Sequence, residues 1–171
     1  TPWQRYQADL QCEYFSHDSA QEQAVLLLQD LYERLVASPG KRDSGLKAWV
    51  RQLRRVEFEP QVGLYLWGGV GRGKTYLVDA FFECLPFREK LRLHFHRFMQ
   101  RVHAELTNLE GQKNPLETVA ERFSREARVL CFDEFKSVKS AEGAMSFIFC
   151  DASNGKLIDI VEDRRLSTLK P

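Results

Sequence analysis

The chain has 171 residues, 43% of them hydrophobic and 29% charged, which is ordinary for one soluble globular domain with a single core. Its 25 Lys and Arg residues nearly balance its 24 Asp and Glu residues, so the net charge disfavours nucleic acid as a general partner. The four cysteines are scattered and form no C-x-x-C pair, so the sequence suggests neither a structural zinc site nor a disulfide framework, and a reducing, cytoplasmic setting fits best. No apolar run is long enough to cross a bilayer.

The first third of the chain predicts two helices. Asp18 or Ser19 can cap a helix that runs to about Val36, because apolar residues recur there at helical spacing and Ser-Pro-Gly follows. A second helix is predicted between Leu46 and Leu53. Its flanking arginines are interpreted as a solvated face rather than a nucleic-acid patch, and they are Arg51, Arg54 and Arg55.

Strands alternate with helices from there to residue 135. The apolar run 62–67 predicts a buried strand that enters a glycine loop, and a helix follows over 75–84. Further strands are predicted over 91–96 and 128–132, with helices from Phe98 to about Gly111 and over 116–127 between them. This alternation predicts the α/β class, with a parallel sheet covered by helices on both faces.

The glycine loop reads Gly-Gly-Val-Gly-Arg-Gly-Lys-Thr over residues 68–75 and matches the P-loop pattern G-x-x-x-x-G-K-[ST] in full. Its glycines let backbone N–H groups surround phosphate oxygens, and the helix that begins near Lys74 points its positive end at the same charge. Lys74 is predicted to contact the β- and γ-phosphates of ATP, and Thr75 to bind Mg²⁺. Arg72 has no required role and is predicted to be exposed. The predicted nucleotide-binding residues are Gly68, Gly69, Val70, Gly71, Arg72, Gly73, Lys74, Thr75 and Tyr76.

Asp133 and Glu134 follow the last buried strand. A P-loop site needs a carboxylate at the end of a neighbouring strand to hold the metal, and we assign that role to Asp133. Glu134 is predicted to be the general base that activates water.

Three histidines are the other candidate ligands. His94 and His96 are predicted to lie on one face of the second strand, with His103 on the helix beyond it. We favour polar sheet residues over a metal site, because no acidic or cysteine partner has ligand spacing with them. The tryptophans are likewise expected to pack against apolar neighbours rather than stack on bases.

Three segments of the chain together carry a family resemblance: residues 63–75, residues 92–106 with Leu-His-Phe-His-Arg-Phe-Met, and residues 129–135, which read Val-Leu-Cys-Phe-Asp-Glu-Phe. From about Asp18 to Phe135 the chain resembles the ZapE cell-division ATPases of bacteria and their mitochondrial relatives. The resemblance implies an AAA+ type ATPase in the cytoplasm at the division site, acting on the polymer FtsZ and assembling as a homo-oligomer. It also implies that Gln21, in the pattern D-x-x-Q-x-x-A, contacts the adenine side of the nucleotide.

The tail after Phe135 departs from that family. Residues 144–151 and 157–161 read as two strands around Asn154-Gly155, which predicts a β-hairpin. The tail resembles the opening of an RNase H-like insertion-sequence transposase, in which Asp133 would be the first carboxylate, so the chain could also be a fusion or remnant with little activity. An arginine finger, sensor and lid are not recognisable, and turnover is therefore expected to be slow or absent.

The predicted organisation has three parts. They are an N-terminal helical segment over 1–56, a P-loop ATPase core over 57–135 and an atypical tail over 136–171.

Overall fold

The computed structural model describes residues 1–37, 61–67, 71–135 and 145–150. The predicted helix at 46–53, residues 68–70 of the glycine loop, and the predicted return strand at 157–161 lie outside the described residues. The elements in chain order are helix α1 (Pro2–Asp9), helix α2 (Ser19–Ala37), strand β1 (Leu64–Leu66), helix α3 (Lys74–Cys84), strand β2 (Lys90–His94), helix α4 (Phe95–Thr107), helix α5 (Pro115–Glu126), strand β3 (Val129–Phe135) and strand β4 (Met145–Cys150).

Side-chain caps start both N-terminal helices. The Thr1 hydroxyl accepts from the Gln4 N–H at 3.3 Å, and the Gln4 side chain accepts from the Thr1 amine at 3.2 Å, so α1 begins with a capping box. Sequence reasoning missed α1, although Thr-Pro-x-Gln is a start signal. The predicted cap of α2 is confirmed, because the Asp18 carboxylate accepts from the N–H of Ala20 at 2.8 Å.

The sheet has the order β1-β4-β3-β2 and is mixed. β2 pairs parallel with β3, as predicted, but β4 pairs antiparallel with both β1 and β3. β4 belongs to the tail, for which a hairpin rather than a parallel strand is predicted, and its antiparallel pairing makes the sheet mixed. The physical reason is the short connection 136–144, since a crossover to a parallel strand takes a dozen or more residues. The predicted strand at 144–151 is present as β4, and it pairs with the sheet; its proposed hairpin with 157–161 lies outside the described residues.

Helices cover both faces of this sheet, as predicted. The residues of β3 alternate between two apolar clusters, because successive side chains of a strand point to opposite faces. Val129 and Cys131 pack with the cluster formed by α1, α2 and α3, while Leu130 and Phe132 pack with the cluster formed by α4 and α5.

Trp67 and Trp3 differ in how far they are exposed to solvent. Trp67 is 68% exposed, so the prediction that it packs is wrong, whereas Trp3 packs against the first cluster. Within the described ranges, no helix is long and apolar enough to cross a membrane.

Candidate functional site

The described part of the glycine loop leads directly into α3. Gly71 and Gly73 have φ values of +82° and +76°, in the left-handed region that glycine adopts at little cost. Gly73 is the N-cap of α3, so the helix begins at Lys74 and places Thr75 in its first turn. Glycine brings no side-chain acceptor, so the first N–H groups of α3 can donate to an anion.

Three strand ends meet at the edge of the sheet where this loop begins. β1 and β3 run in the same direction, because each is antiparallel to β4, and β2 runs parallel to β3. β1 leads into the glycine loop, β2 ends at His94, and β3 carries Asp133 and Glu134 near its end. The topology therefore brings the loop and the acidic pair to the same edge, the one at which α/β sheets bind ligands.

The acidic pair lies at an irregularity in β3. Phe132 pairs with Phe147 and Phe135 with Met145, so two residues of β3 stand opposite the single residue Ser146 of β4. This is the count of a β-bulge, a feature that re-aims side chains beside many active sites. Ser146 also pairs with Leu66, the last residue of β1, so the acidic pair and the end of β1 are level across the sheet.

The start of α2 contacts the glycine loop through two bonds. A guanidinium nitrogen of Arg72 lies 2.8 Å from the Asp18 carboxylate, and the Gln21 side-chain amide donates to the Arg72 carbonyl at 3.2 Å. Arg72 is exposed, as predicted, with 56% of its side chain accessible, but it is also ion-paired, which the sequence did not indicate. Hydrogen bonds from the N–H groups of Ala20 and Gln21, together with the Arg72 charge, lower the pKa of Asp18.

Gln21 has a second feature of interest. Its Oε1 atom is buried, and no described residue donates a hydrogen bond to it. A buried amide oxygen without a donor is unfavourable, so it can accept from a ligand N–H.

Tyr76 links the first turn of α3 to α1. Its hydroxyl donates to the Asp9 carboxylate, and its ring centroid is 5.1 Å from that of Phe15. Burial and the adjacent Asp9 raise the pKa of Tyr76 well above its ordinary value. The Tyr76 side chain thus helps to anchor α1 beside the loop, and nothing in the local sequence pattern marked Asp9 as its partner.

The two neighbouring histidines, His94 and His96, lie on either side of the boundary between β2 and α4. His94 ends β2, but His96 lies in the first turn of α4, so the prediction that both belong to the strand is wrong. Their rings are stacked, with centroids 5.8 Å apart and planes 18° apart. In register, His94 stands beside Asp133. His103 lies further along α4 and is exposed.

Comparison with known proteins extends these observations. The family model for AFG1-like ATPases matches residues 1–146, beyond both ends of the resemblance seen in the sequence. The cell division protein ZapE of Escherichia coli is 50% identical over 141 residues, which cover 79% of this chain and 38% of that protein. Lactation elevated protein 1 homolog B of Danio rerio is 35% identical over 94 residues, 48% of this chain and 19% of that protein.

The match has defined limits. The chain spans 38% of the length of the ZapE relative. No solved structure matches it significantly. The matched region includes the glycine loop, the acidic pair and the start of β4, and it covers most of the chain. The chain therefore belongs to the AFG1-like ATPase family.

Proposed function

We propose that the chain binds Mg-ATP in the P-loop and hydrolyses it to ADP and phosphate. The observation that carries this proposal is the placement of the loop and the Asp133-Glu134 pair at one edge of the sheet. The left-handed glycines and the uncapped start of α3 fit a phosphate chain, because both direct backbone N–H groups to an anion.

The loop residues have distinct roles in the proposal. Residues 68–73 surround the phosphates with backbone N–H groups, Lys74 contacts the β- and γ-phosphates, and Tyr76 supports the loop from the first turn of α3. The buried Oε1 of Gln21 is suited to accept from the exocyclic amine of adenine, which is consistent with its place beside Arg72.

The acidic pair completes the site. Thr75 and Asp133 would hold Mg²⁺, which neutralises phosphate charge when bound. Glu134 would take a proton from the attacking water.

Binding is tested by calorimetric titration of the wild type and Lys74→Ala with Mg-ATP. We expect Lys74→Ala to weaken binding about tenfold or more, because a charge-assisted contact to phosphate is lost. Lys113→Ala is the matched control, since this exposed lysine lies in the connection between α4 and α5. Equal affinities for wild type and Lys74→Ala would exclude the P-loop as the binding site.

Hydrolysis is tested separately by phosphate release under single-turnover conditions. We expect Glu134→Gln to retain Mg-ATP binding and to lose any release seen in the wild type. Release that is unchanged in Glu134→Gln would assign the general base elsewhere.

The relatives suggest a cellular role. The name of the ZapE relative places that protein in cell division, and we extend to this chain a cytoplasmic role at the division site, with FtsZ as partner and a homo-oligomer as working form. Sedimentation of FtsZ polymers with the wild type in Mg-ATP tests this role, and the absence of ATP-dependent co-sedimentation would contradict it. The transposase resemblance of the tail stays a prediction; metal-dependent DNA nicking that survives Lys74→Ala would support it.

A further inference from the structure

The contacts between α2 and the P-loop form a junction of three residues: Asp18, Gln21 and Arg72. Arg72 is held twice, by its guanidinium at Asp18 and by its carbonyl at the Gln21 amide. The two contacts hold the residue between Gly71 and Gly73, and these two glycines, which lack a Cβ atom, would otherwise leave residues 71–73 a wide choice of backbone conformations.

On the α2 side of the junction, Asp18 is held in place by further hydrogen bonds. Asp18 is fixed as the cap of α2 by the N–H groups of Ala20 and Gln21. The carbonyl of Asp18 also accepts from the buried Tyr6 hydroxyl at 3.5 Å, which ties the cap to α1. α2 itself is anchored by its buried apolar face, which consists of Val25, Leu28, Leu31 and Leu35.

Holding a flexible loop in its binding conformation raises affinity, because less conformational entropy is lost when the ligand binds. We propose that Asp18 is a positioning residue, which through its ion pair with Arg72 holds residues 71–73 of the P-loop in a conformation suited to binding nucleotide phosphates. This inference rests on the proposed function and adds to it a residue outside the P-loop pattern.

A direct role for Arg72 at the phosphates gives the opposite expectation for Asp18. If the guanidinium bound phosphate, Asp18 would compete for it, and removing the carboxylate charge would strengthen the binding of an anionic ligand. Positioning predicts weaker binding on the same change. Whether removal of the Asp18 charge raises or lowers the Kd for Mg-ATP therefore distinguishes the positioning role from direct binding of phosphate by Arg72.

Asp18→Asn is the decisive variant, because Asn caps a helix as well as Asp does but carries no charge. We expect Asp18→Asn to raise the Kd for Mg-ATP about two- to fivefold, the range set by an exposed ion pair, with little change in Tm. Asp30→Asn is the matched control, since Asp30 makes an ion pair with Arg34 on the same helix at 2.9 Å and lies away from the loop. It should leave Kd unchanged.

Variants of Arg72 test the other partner of the ion pair. Arg72→Ala should raise Kd by a similar factor, Arg72→Lys should recover part of the loss, and the double variant with Asp18→Asn should bind no more weakly than either single variant. Unchanged or tighter binding by Asp18→Asn would overturn the positioning role, as would effects that multiply in the double variant. If the wild type binds Mg-ATP no better than Lys74→Ala, the proposed function itself fails instead.

Discussion

Two structural features make any side chain unfavourable at Gly73. Its φ of +76° lies in the left-handed region, and a Cβ atom there would stand 2.7 Å from the Gln21 amide nitrogen. Gly111 also has a left-handed backbone, with φ of +84°, but there is open space where its Cβ would be. Comparing alanine variants at the two glycines therefore separates the cost of backbone strain from the effect of losing the contact between Gln21 and Arg72.

We predict that Gly73→Ala and Gly111→Ala each lower the free energy of unfolding by about 1–2 kcal/mol, because alanine is strained in this conformation. The Gln21 side chain is flexible and can move aside, so Gly73→Ala adds little further cost in stability. It should, however, displace the amide from Arg72 and weaken Mg-ATP binding. Urea unfolding and nucleotide titration of both variants give the two quantities, and a Kd raised equally by Gly111→Ala would contradict this assignment.

At the scale of elements, α4 and α5 pack as a pair against one face of the sheet. The buried rings of Phe98 and Phe123 have centroids 5.1 Å apart. Arg101 of α4 lies over the Phe123 ring at 4.6 Å and donates to Glu126 of α5. The apolar contact supplies most of the stability, and the ion pair fixes how the two helices align.

The Arg101 hydrogen bond lowers the pKa of Glu126 below its ordinary value of 4.5. A lowered pKa stabilises the fold above the unfolded-state value, and this contribution is lost as pH falls. We predict that Glu126→Gln costs up to about 1 kcal/mol of unfolding free energy at pH 7, and that the difference from wild type shrinks as pH falls below about 4.5. Urea unfolding at several pH values measures it, with Glu110→Gln as the exposed control. A difference that is constant with pH would show that the ion pair is not its source.

At the scale of the whole molecule, β4 joins the two halves of the site. It is hydrogen-bonded on one side to β1, which leads into the P-loop, and on the other to β3, which carries the acidic pair. A central strand cannot lose a backbone donor without breaking its ladder. The relative placement of the P-loop and Asp133 therefore depends on β4, and only the start of β4 lies within the family match.

We predict that Ile148→Pro abolishes cooperative unfolding, since Ile148 is paired with both Leu64 and Cys131. Ile148→Val, which keeps the N–H group and the preference for strands, should change stability by no more than about 1.5 kcal/mol. Near-UV circular dichroism during thermal unfolding distinguishes the two. A cooperative transition in Ile148→Pro would show that β4 is not a central strand.

Local patterns predicted much of this architecture. Apolar periodicity located α2 and α3, and the alternation of β3 between two helix layers follows from its continuous apolar run. Pairings between distant residues carry no local signal. Arg72 meets Asp18 across 54 positions and Tyr76 meets Asp9 across 67, and the direction of β4 depends on how the chain returns to the sheet. The P-loop could be predicted because its chemistry is contiguous, whereas its supports are assembled only by folding.

The most direct test of nucleotide binding at the P-loop is the melting temperature of the wild type and of Lys74→Ala, each with and without Mg-ATP. A ligand that binds only the folded state at about one hundred times its Kd adds about 2.7 kcal/mol of stability. For a domain of this size, that corresponds to a rise of about 5–10 °C. We predict this rise in the wild type and little or none in Lys74→Ala at the same concentration. Equal rises in both proteins, or none in either, would contradict binding of Mg-ATP through the P-loop.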